Sequence, residues 1–474
     1  MNLVNNILLN CKNNSDKVAI LDDKQSISYS QLKNYIKIIS SYFKKKKIKP
    51  GDKIIIVLGN TIEQIIFHYS AIYYGLISIP MNRSFLELNY KYINHSIKPS
   101  FFFLKKKLNK NLKTKQILVN DINNFVKLNK VKINNFKVKN KGNDISTILF
   151  TSGSDGNPKG VCLSHSSILN STKNISSYLK YNNNNSEVIA LPIHHSFGLG
   201  HIQSIHFSGG TIKILNGFMP LKKFINSFDA NMNGTALTPS FLNFLIKNFP
   251  KIAKKKFKNL KYIVINSEPM NISVLKFLKK FYPKMNIFFY YGLTEASRST
   301  FINLSKCKKS FYSSVGKPTT SKIKIKILND EILIKGNNLF SGYWGHKKKF
   351  TPKNWFPTGD LGFIKNEYLF IKGRKKNIIN VGGYKVSTVE ISNIIMNNFN
   401  KVLDCYVMGI KNRITGQTPL IFIKSNKKID KSKIENFLIN KIGPFARPKE
   451  IILIDKMPRT ANGKILEKKL FKYL

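Results

Sequence analysis

Acidic side chains are scarce in this chain of 474 residues: 24 Asp and Glu stand against 79 Lys and Arg, a formal charge of +55. Cysteine is scarce as well, and no apolar run is long enough to cross a bilayer. Each shortage narrows the reading. The four cysteines, Cys11, Cys162, Cys307 and Cys405, lie far apart without metal or redox spacing, so reduced thiols in a cytoplasmic protein are expected. The best candidate span, "IIFHYSAIYYGLISIPM" (65–81), carries His68 and meets Pro80, and no membrane span is expected. The first residues, "MNLVNNILLNCKNNSDK", are broken by asparagine and make a poor signal peptide. The positive charge would suit nucleic acid or an anionic surface. Its lysine runs (44–47, 105–107, 254–256, 347–349) are scattered, however, and no RNA signature or Cys/His finger accompanies them. Lysine, asparagine and isoleucine are abundant everywhere, so the charge reads as compositional bias and no nucleic-acid partner is expected.

What is present is ample apolar material, 42% of residues, enough for more than one domain. In "YSQLKNYIKIISSYF", Tyr29, Leu32, Tyr35, Ile36, Ile39 and Tyr42 recur at helical spacing, with Ser30 as N-cap. "KPGD" breaks that helix and "KIIIVLGN" follows as a buried strand. "TIEQIIFHYSAIYYG" and "LISIPMN" repeat the pair, and the alternation returns from "TIKILNG" (211–217) to "NIFFYYGLTE" (286–295). Strands separated by such helices predict an α/β fold of mostly parallel sheets flanked by helices. From about residue 310, "KIKIKILNDEILIKG" and "GDLGFIKNEYLFIKG" predict antiparallel hairpins. The pattern gives a large N-terminal part, β-rich from about 310, the charged candidate hinge "KGRKKN" and a last mixed segment of small-domain size. The Lys/Asn-rich stretch 105–143 reads as a loop or a poorly ordered patch.

"ISTILFTSGSDGNPKGVCLSH" (145–165) joins two apolar runs through hydroxyls and glycines. Thr151, Ser152 and Ser154 bring hydroxyls, Gly153 and Gly156 allow close approach and positive φ, and Lys159 adds a mobile positive charge. The set suits a phosphate, though the spacing is not that of a Walker loop. Read alone, an ordinary Ser/Gly turn explains it equally well. Four further stretches bear on the choice. "YYGLTEAS" (290–297) puts Tyr291 exposed at a strand tip, where its face can stack on a purine, and Glu295 where a carboxylate can hold Mg²⁺ against phosphate. "NWFPTGD" (354–360) sets Asp360 after a glycine turn, suited to a ribose diol. "KGRKKNIINVGGYKVSTVEIS" (372–392) pairs Arg374 with a glycine loop, and "MPRTANGKILEKKL" (457–470) holds Lys464 in a Gly-Lys turn. Taken singly these are a strand end, an Asx turn, a linker and a surface lysine.

Taken together and in this order, "TSGSDGNPKG", "YGLTE", "PTGD", "GRKKN" and "PRTANGK" resemble the motifs of the adenylate-forming superfamily of acyl-CoA synthetases, adenylation domains and luciferases. "LPIHHSFGL" (191–199), "INSEP" (265–269), "SSVGKP" (313–318), "GNNLFSGYWG" (336–345) and "CYVMGIKNRITGQTP" (405–419) add to the resemblance, which covers nearly the whole chain. It implies a carboxylate attacking the α-phosphate of ATP to give an acyl-adenylate and pyrophosphate, then a thiol expelling AMP. By the same resemblance Lys464 meets the α-phosphate and the carboxylate. Thr151, Ser152, Gly153, Ser154, Gly156 and Lys159 cradle the β- and γ-phosphates. Glu295 binds Mg²⁺, Thr294 sits near the α-phosphate, and Ser267, Glu268, Pro269 and Tyr291 border the adenine. Asp360 and Arg374 take the ribose. Lys376 is the hinge residue, and Gly382 and Gly383 form the loop on the thiol side. The resemblance also implies the bounds: a large N-terminal domain over 1–373, the hinge at 374–376 and a small mobile α+β C-terminal domain over 377–474.

The chain departs from the pattern at Asp155, Asn380, Ser392 and Glu467. Asp155 is expected to point away from phosphate; Asn380 bears on the thiol half. His195 aligns with the family's gate at the acyl pocket, while His194 replaces the usual aromatic residue, with a histidine packed in the core as its alternative reading. No carboxylate accompanies "HHSFG", so an ammonium would lack a counter-charge there. The resemblance therefore implies a fatty, aryl or other simple acid, with fatty acid metabolism a possible setting. The leading reading is an acyl-CoA ligase using ATP, Mg²⁺ and CoA. The others are a ligase that loads phosphopantetheine on an acyl carrier protein, and an inactive or basic nucleic-acid-binding relative.

Overall fold

The computed structural model describes residues 3–108, 114–129, 131–134, 136, 141–152, 158–266, 270–425, 428–459 and 465–474. Its contacts divide the chain into two units. The first takes residues 1–325, 334–356 and 365–369; the second takes 326–333, 357–364 and 370–474. The expected hinge, 374–376, lies inside the second unit, in the strand Tyr368–Arg374 and the single 3-10 turn Lys375–Asn377.

Two large sheets build the first unit. The eight-stranded sheet runs, edge to edge, Thr300–Asn303, Asn286–Tyr291, Tyr262–Ile265, Gly234–Leu237, Ser186–Ile189, Thr211–Ile214, Val18–Leu21 and Ser26–Ser28. Only the two edge pairings are antiparallel. The seven-stranded sheet runs Gly342–Tyr343, Pro158–Ser164, Ile145–Ser152, Ile77–Pro80, Lys53–Val57, Phe101–Leu104 and Lys115–Leu118, parallel from Ile145–Ser152 onward. The predicted α/β class, with mostly parallel sheets flanked by helices, is observed.

Local chemistry accounts for these elements. The helix Ile62–Tyr74 starts where the Thr61 hydroxyl accepts from the Gln64 amide, and stops at Gly75 in the left-handed region. Nearly every residue of it is buried, because it shares one apolar cluster with Ile54 and Ile56 of one sheet and Ile212 and Ile214 of the other. The helix Tyr29–Lys45 is capped by Ser28, not by Ser30: Gln31, three residues on, completes a capping box that only Ser28 can share. The stretch 105–143, read as a loop or a poorly ordered patch, carries the edge strand Lys115–Leu118 and the helix Ile122–Asn129, whose Ile122 and Phe125 are buried.

In the second unit the strand Gly416–Ser425 pairs with Val402–Asn412, Ile378–Val381 and Glu450–Leu453. The strand Tyr384–Ser387 forms the edge, and the helices Thr388–Asn398 and Lys431–Ile442 close a core around Ile391, Ile395, Ile421, Ile434 and Leu438. This is the expected small α+β domain. Among the described residues no helix is long and apolar enough to cross a membrane.

Candidate active site

The motif that opened the question is a hairpin. Strands Ile145–Ser152 and Pro158–Ser164 run antiparallel, with Thr151 opposite Lys159 and Ser152 opposite Pro158. Gly153, Ser154, Asp155 and Gly156 lie outside the described residues, as do Ser267, Glu268, Pro269 and Lys464. The strand Gly342–Tyr343 docks on the far side of the hairpin, putting Tyr343 opposite Val161. From there the Lys159 ammonium lies 5.9 Å from the centre of the Tyr343 ring, a cation–π distance. The Tyr343 hydroxyl donates to Oε1 of Glu295 at 2.9 Å. The hairpin lysine, a candidate phosphate ligand, and the candidate metal-binding carboxylate are thus joined through one tyrosine. The backbone fixes this further, since the Phe340 amide donates to the Glu295 carbonyl at 2.8 Å. Tyr343 takes one Glu295 oxygen and leaves Oε2 for a cation. One protein carboxylate with phosphate oxygens and water fits Mg²⁺, which seldom relies on an all-protein cage.

A second wall comes from the segment after the strand Ser186–Ile189. Asn60 holds it: its amide nitrogen donates to the carbonyls of Leu191 (2.8 Å) and Leu215 (3.1 Å), and its oxygen accepts from the Ile193 amide (3.0 Å). His195 then stands at the N-cap of the helix Ser196–Phe207. The His194 and His195 rings are 4.4 Å apart, and His194 Nε2 is 3.2 Å from the Asn82 amide nitrogen. Burial, with the neighbouring His195 adding to it, pushes His194 down to about 3, so it is neutral. The Ser196 hydroxyl lies 3.4 Å from that of Thr294, bringing the "HHSFG" and "YGLTE" motifs together.

Tyr291 departs from expectation. It is not exposed at a strand tip but buried, with 7% of its surface accessible. The cause is the strand Thr300–Asn303, which folds back antiparallel and sets Thr300 opposite Tyr291.

In the second unit Arg374 Nε and Asp360 Oδ1 pair at 2.8 Å, with Asp360 only 4% exposed. Gly359, at φ +73°, donates its amide to Glu331 Oε1 (2.9 Å), and Asp360 donates its own to the Thr358 hydroxyl (3.1 Å). That turn requires a residue free of Cβ strain and aims the aspartate inward. Gly382 and Gly383, both at positive φ, turn the hairpin between Ile378–Val381 and Tyr384–Ser387; no atom lies within 4 Å of where a Gly383 Cβ would sit. Of the departures, Asn380 is exposed and donates its amide to Gln417, Ser392 donates to the Cys405 carbonyl, and Glu467 accepts from Tyr406. Lys376 lies in the 3-10 turn Lys375–Asn377.

Two residues at the site escape sequence reasoning. Tyr343 sits in "GYWG", a stretch that matched the family without offering a role. Arg298, three residues after Glu295, is buried against Ser196 and Ser297. Its signal was available: arginine occurs only six times in a chain that uses lysine almost everywhere.

The AMP-binding enzyme family matches residues 9–344, and the AMP-binding enzyme C-terminal domain matches 390–464. The oxalate–CoA ligase of Saccharomyces cerevisiae is 30% identical over 74% of this chain and 67% of its own length. The 2-succinylbenzoate–CoA ligase of Staphylococcus epidermidis is 24% identical over 97% of this chain and 95% of its own. The solved o-succinylbenzoate CoA synthetase (MenE) from Bacillus subtilis, bound to its acyl-adenylate, superposes with a TM-score of 0.86 at 19% identity, over 98% of this chain and 97% of that one. The fold is therefore the one those enzymes share. With two matching family domains in order along it, the chain belongs to the AMP-binding enzymes.

Proposed function

We propose that this protein activates a carboxylic acid with ATP through an acyl-adenylate and transfers the acyl group to the thiol of CoA, releasing AMP and pyrophosphate. It is an ATP-dependent acid–thiol ligase. The observation that carries the reading is the Lys159–Tyr343–Glu295 link, which ties the phosphate hairpin to the "YGLTE" carboxylate. In the first half-reaction negative charge collects on phosphorus, and the protein supplies position and positive charge. Thr151, Ser152, Ser154 and Lys159 hold the outer phosphates, and Lys464 meets the α-phosphate. Mg²⁺, held at Glu295, would neutralise phosphate charge. Tyr291 and the 267–269 turn border the adenine, and Asp360 with Arg374 takes the ribose. For the thiol half, the C-terminal segment turns about Lys376 and presents the Gly382–Gly383 loop.

The acid carries no ammonium, because "HHSFG" offers it no carboxylate and Arg298 stands behind Ser196. A cytoplasmic site suits the four cysteines, which are all free thiols. A carrier-bound phosphopantetheine is the alternative acceptor. Hydroxylamine trapping tests the activation step across a carboxylate panel: ATP-dependent hydroxamate is expected. Added CoA should divert the acyl group into a thioester; diversion by a carrier protein but not by CoA selects the alternative, and no hydroxamate from any acid ends the reading.

A further inference from the structure

Of the six arginines, Arg83, Arg374, Arg447 and Arg459 have exposed side chains and each hold a carboxylate, and Arg413 is exposed. Arg298 differs: it is only 3% exposed, and among the described residues no carboxylate reaches it. Nη1 donates to the Ser297 hydroxyl at 2.6 Å and Nη2 to the Ser196 carbonyl at 3.5 Å. The guanidinium lies 5.6 Å from the Tyr290 ring centre, and buried Nε donates to none of the described residues. A guanidinium does not shed its proton in a protein. The chain therefore keeps inside it a positive charge met only by neutral dipoles, an arrangement that disfavours the empty state.

Two features hold it there. Arg298 sits at φ +57°, a conformation uncommon for a long side chain, and the Asn338 amide pins the turn by donating to the Ser297 carbonyl and the Ser299 hydroxyl, both at 2.9 Å. On the facing helix Gly200 leaves the space: a Cβ there would lie 1.8 Å from Nη2. The guanidinium lines a cavity of about 30 Å³ together with Ser167, Ser171, Gln203 and Leu199. Ser196 joins this cavity to the reacting end, with its hydroxyl 3.4 Å from Thr294 and its carbonyl facing Arg298.

We infer that Arg298 selects the acid: it pairs with a second carboxylate on a short dicarboxylic acid whose other carboxylate is activated beside Thr294. This rests on the reading of the chain as a carboxylate-activating enzyme. A carboxylate would supply the counter-charge to Arg298, and the hydroxyl and amide groups around the cavity would satisfy its remaining lone pairs. Ser196 alone separates Arg298 from Thr294, so the two carboxylates it would bridge lie close together and the diacid is short.

The test is hydroxylamine trapping by the full-length enzyme, with ATP and Mg²⁺, on matched acids of equal chain length, one ending in methyl and one in a second carboxylate. The diacid should show the higher kcat/KM. Arg298→Met, which keeps length without charge, should lower the diacid-to-monoacid ratio about 100-fold. Gly200→Ala, which displaces the guanidinium without removing it, should lower the ratio too. Should a variant fail to fold, the wild type still decides: the diacid, and not its methyl-ended partner, should raise its Tm. A wild type that prefers the monoacid, or a ratio unmoved in folded variants, overturns the assignment and leaves carboxylate activation standing. No hydroxamate from either class overturns both.

Discussion

Tyr343 donates its hydroxyl to Glu295 at 2.9 Å while its ring faces the Lys159 ammonium at 5.9 Å. The tyrosine thereby fixes the carboxylate proposed to hold Mg²⁺ relative to the lysine proposed to hold phosphate. Tyr343→Phe keeps the ring and removes the hydrogen bond, an interaction of about 1 kcal/mol. The Mg²⁺ concentration giving half-maximal pyrophosphate release should rise roughly fivefold, by that same energy. An unchanged Mg²⁺ curve would deny Tyr343 this positioning role.

Asp360 is almost fully buried, and Arg374 is its guanidinium partner at 2.8 Å. Arg374→Ala removes an ion-pair partner of that buried carboxylate and a proposed ribose contact. The KM for ATP should rise about tenfold, and Tm should fall, because weakening the pairing of a buried charge is costly. A lower Tm with an unaltered KM would confine the pair to holding the fold.

Burial pushes the imidazoles of His68 and His194 down to about 3, and those of His165 and His206 to about 4. An unfolded histidine titrates near 6.5. Between about pH 6.5 and 4 the unfolded chain therefore binds protons that the folded chain refuses. Stability is full above about pH 6.5 and falls as the pH drops, by about 1.4 kcal/mol per pH unit for each such group. Thermal unfolding across pH 7 to 4.5 checks this. His68→Gln, at a site now bonded to Ser78 and Gln203, should make the slope shallower; an identical slope would contradict the assignment.

The long periodic segments were legible because helix and strand periods depend only on local spacing. Elements defined by distant partners were not. The strand Val18–Leu21 has four residues and is ordered by Thr211–Ile214, far along the chain. Lysine and asparagine hid the helix Ile122–Asn129, whose two buried residues carry its docking. The motif residues Glu295, Thr294 and Asp360 stood out because their neighbours are unusual in type and order. Tyr343 and Arg298 gain their roles only when the strand Gly342–Tyr343 meets the hairpin and Gly200 faces the 297–299 turn. Tyr291 was misjudged for the same reason: its exposure is set by a strand that pairs beside it.

The central claim is that the enzyme makes an adenylate, with Lys464 supplying charge at the α-phosphate. Carboxylate-dependent exchange of pyrophosphate into ATP measures that step alone. The wild type should exchange, and Lys464→Ala, with an unchanged Tm, should lose at least 100-fold of the rate, the scale seen when one charge-stabilising donor is removed. Full exchange by the variant would contradict the role of Lys464; no exchange by the wild type with any carboxylate would contradict the function itself.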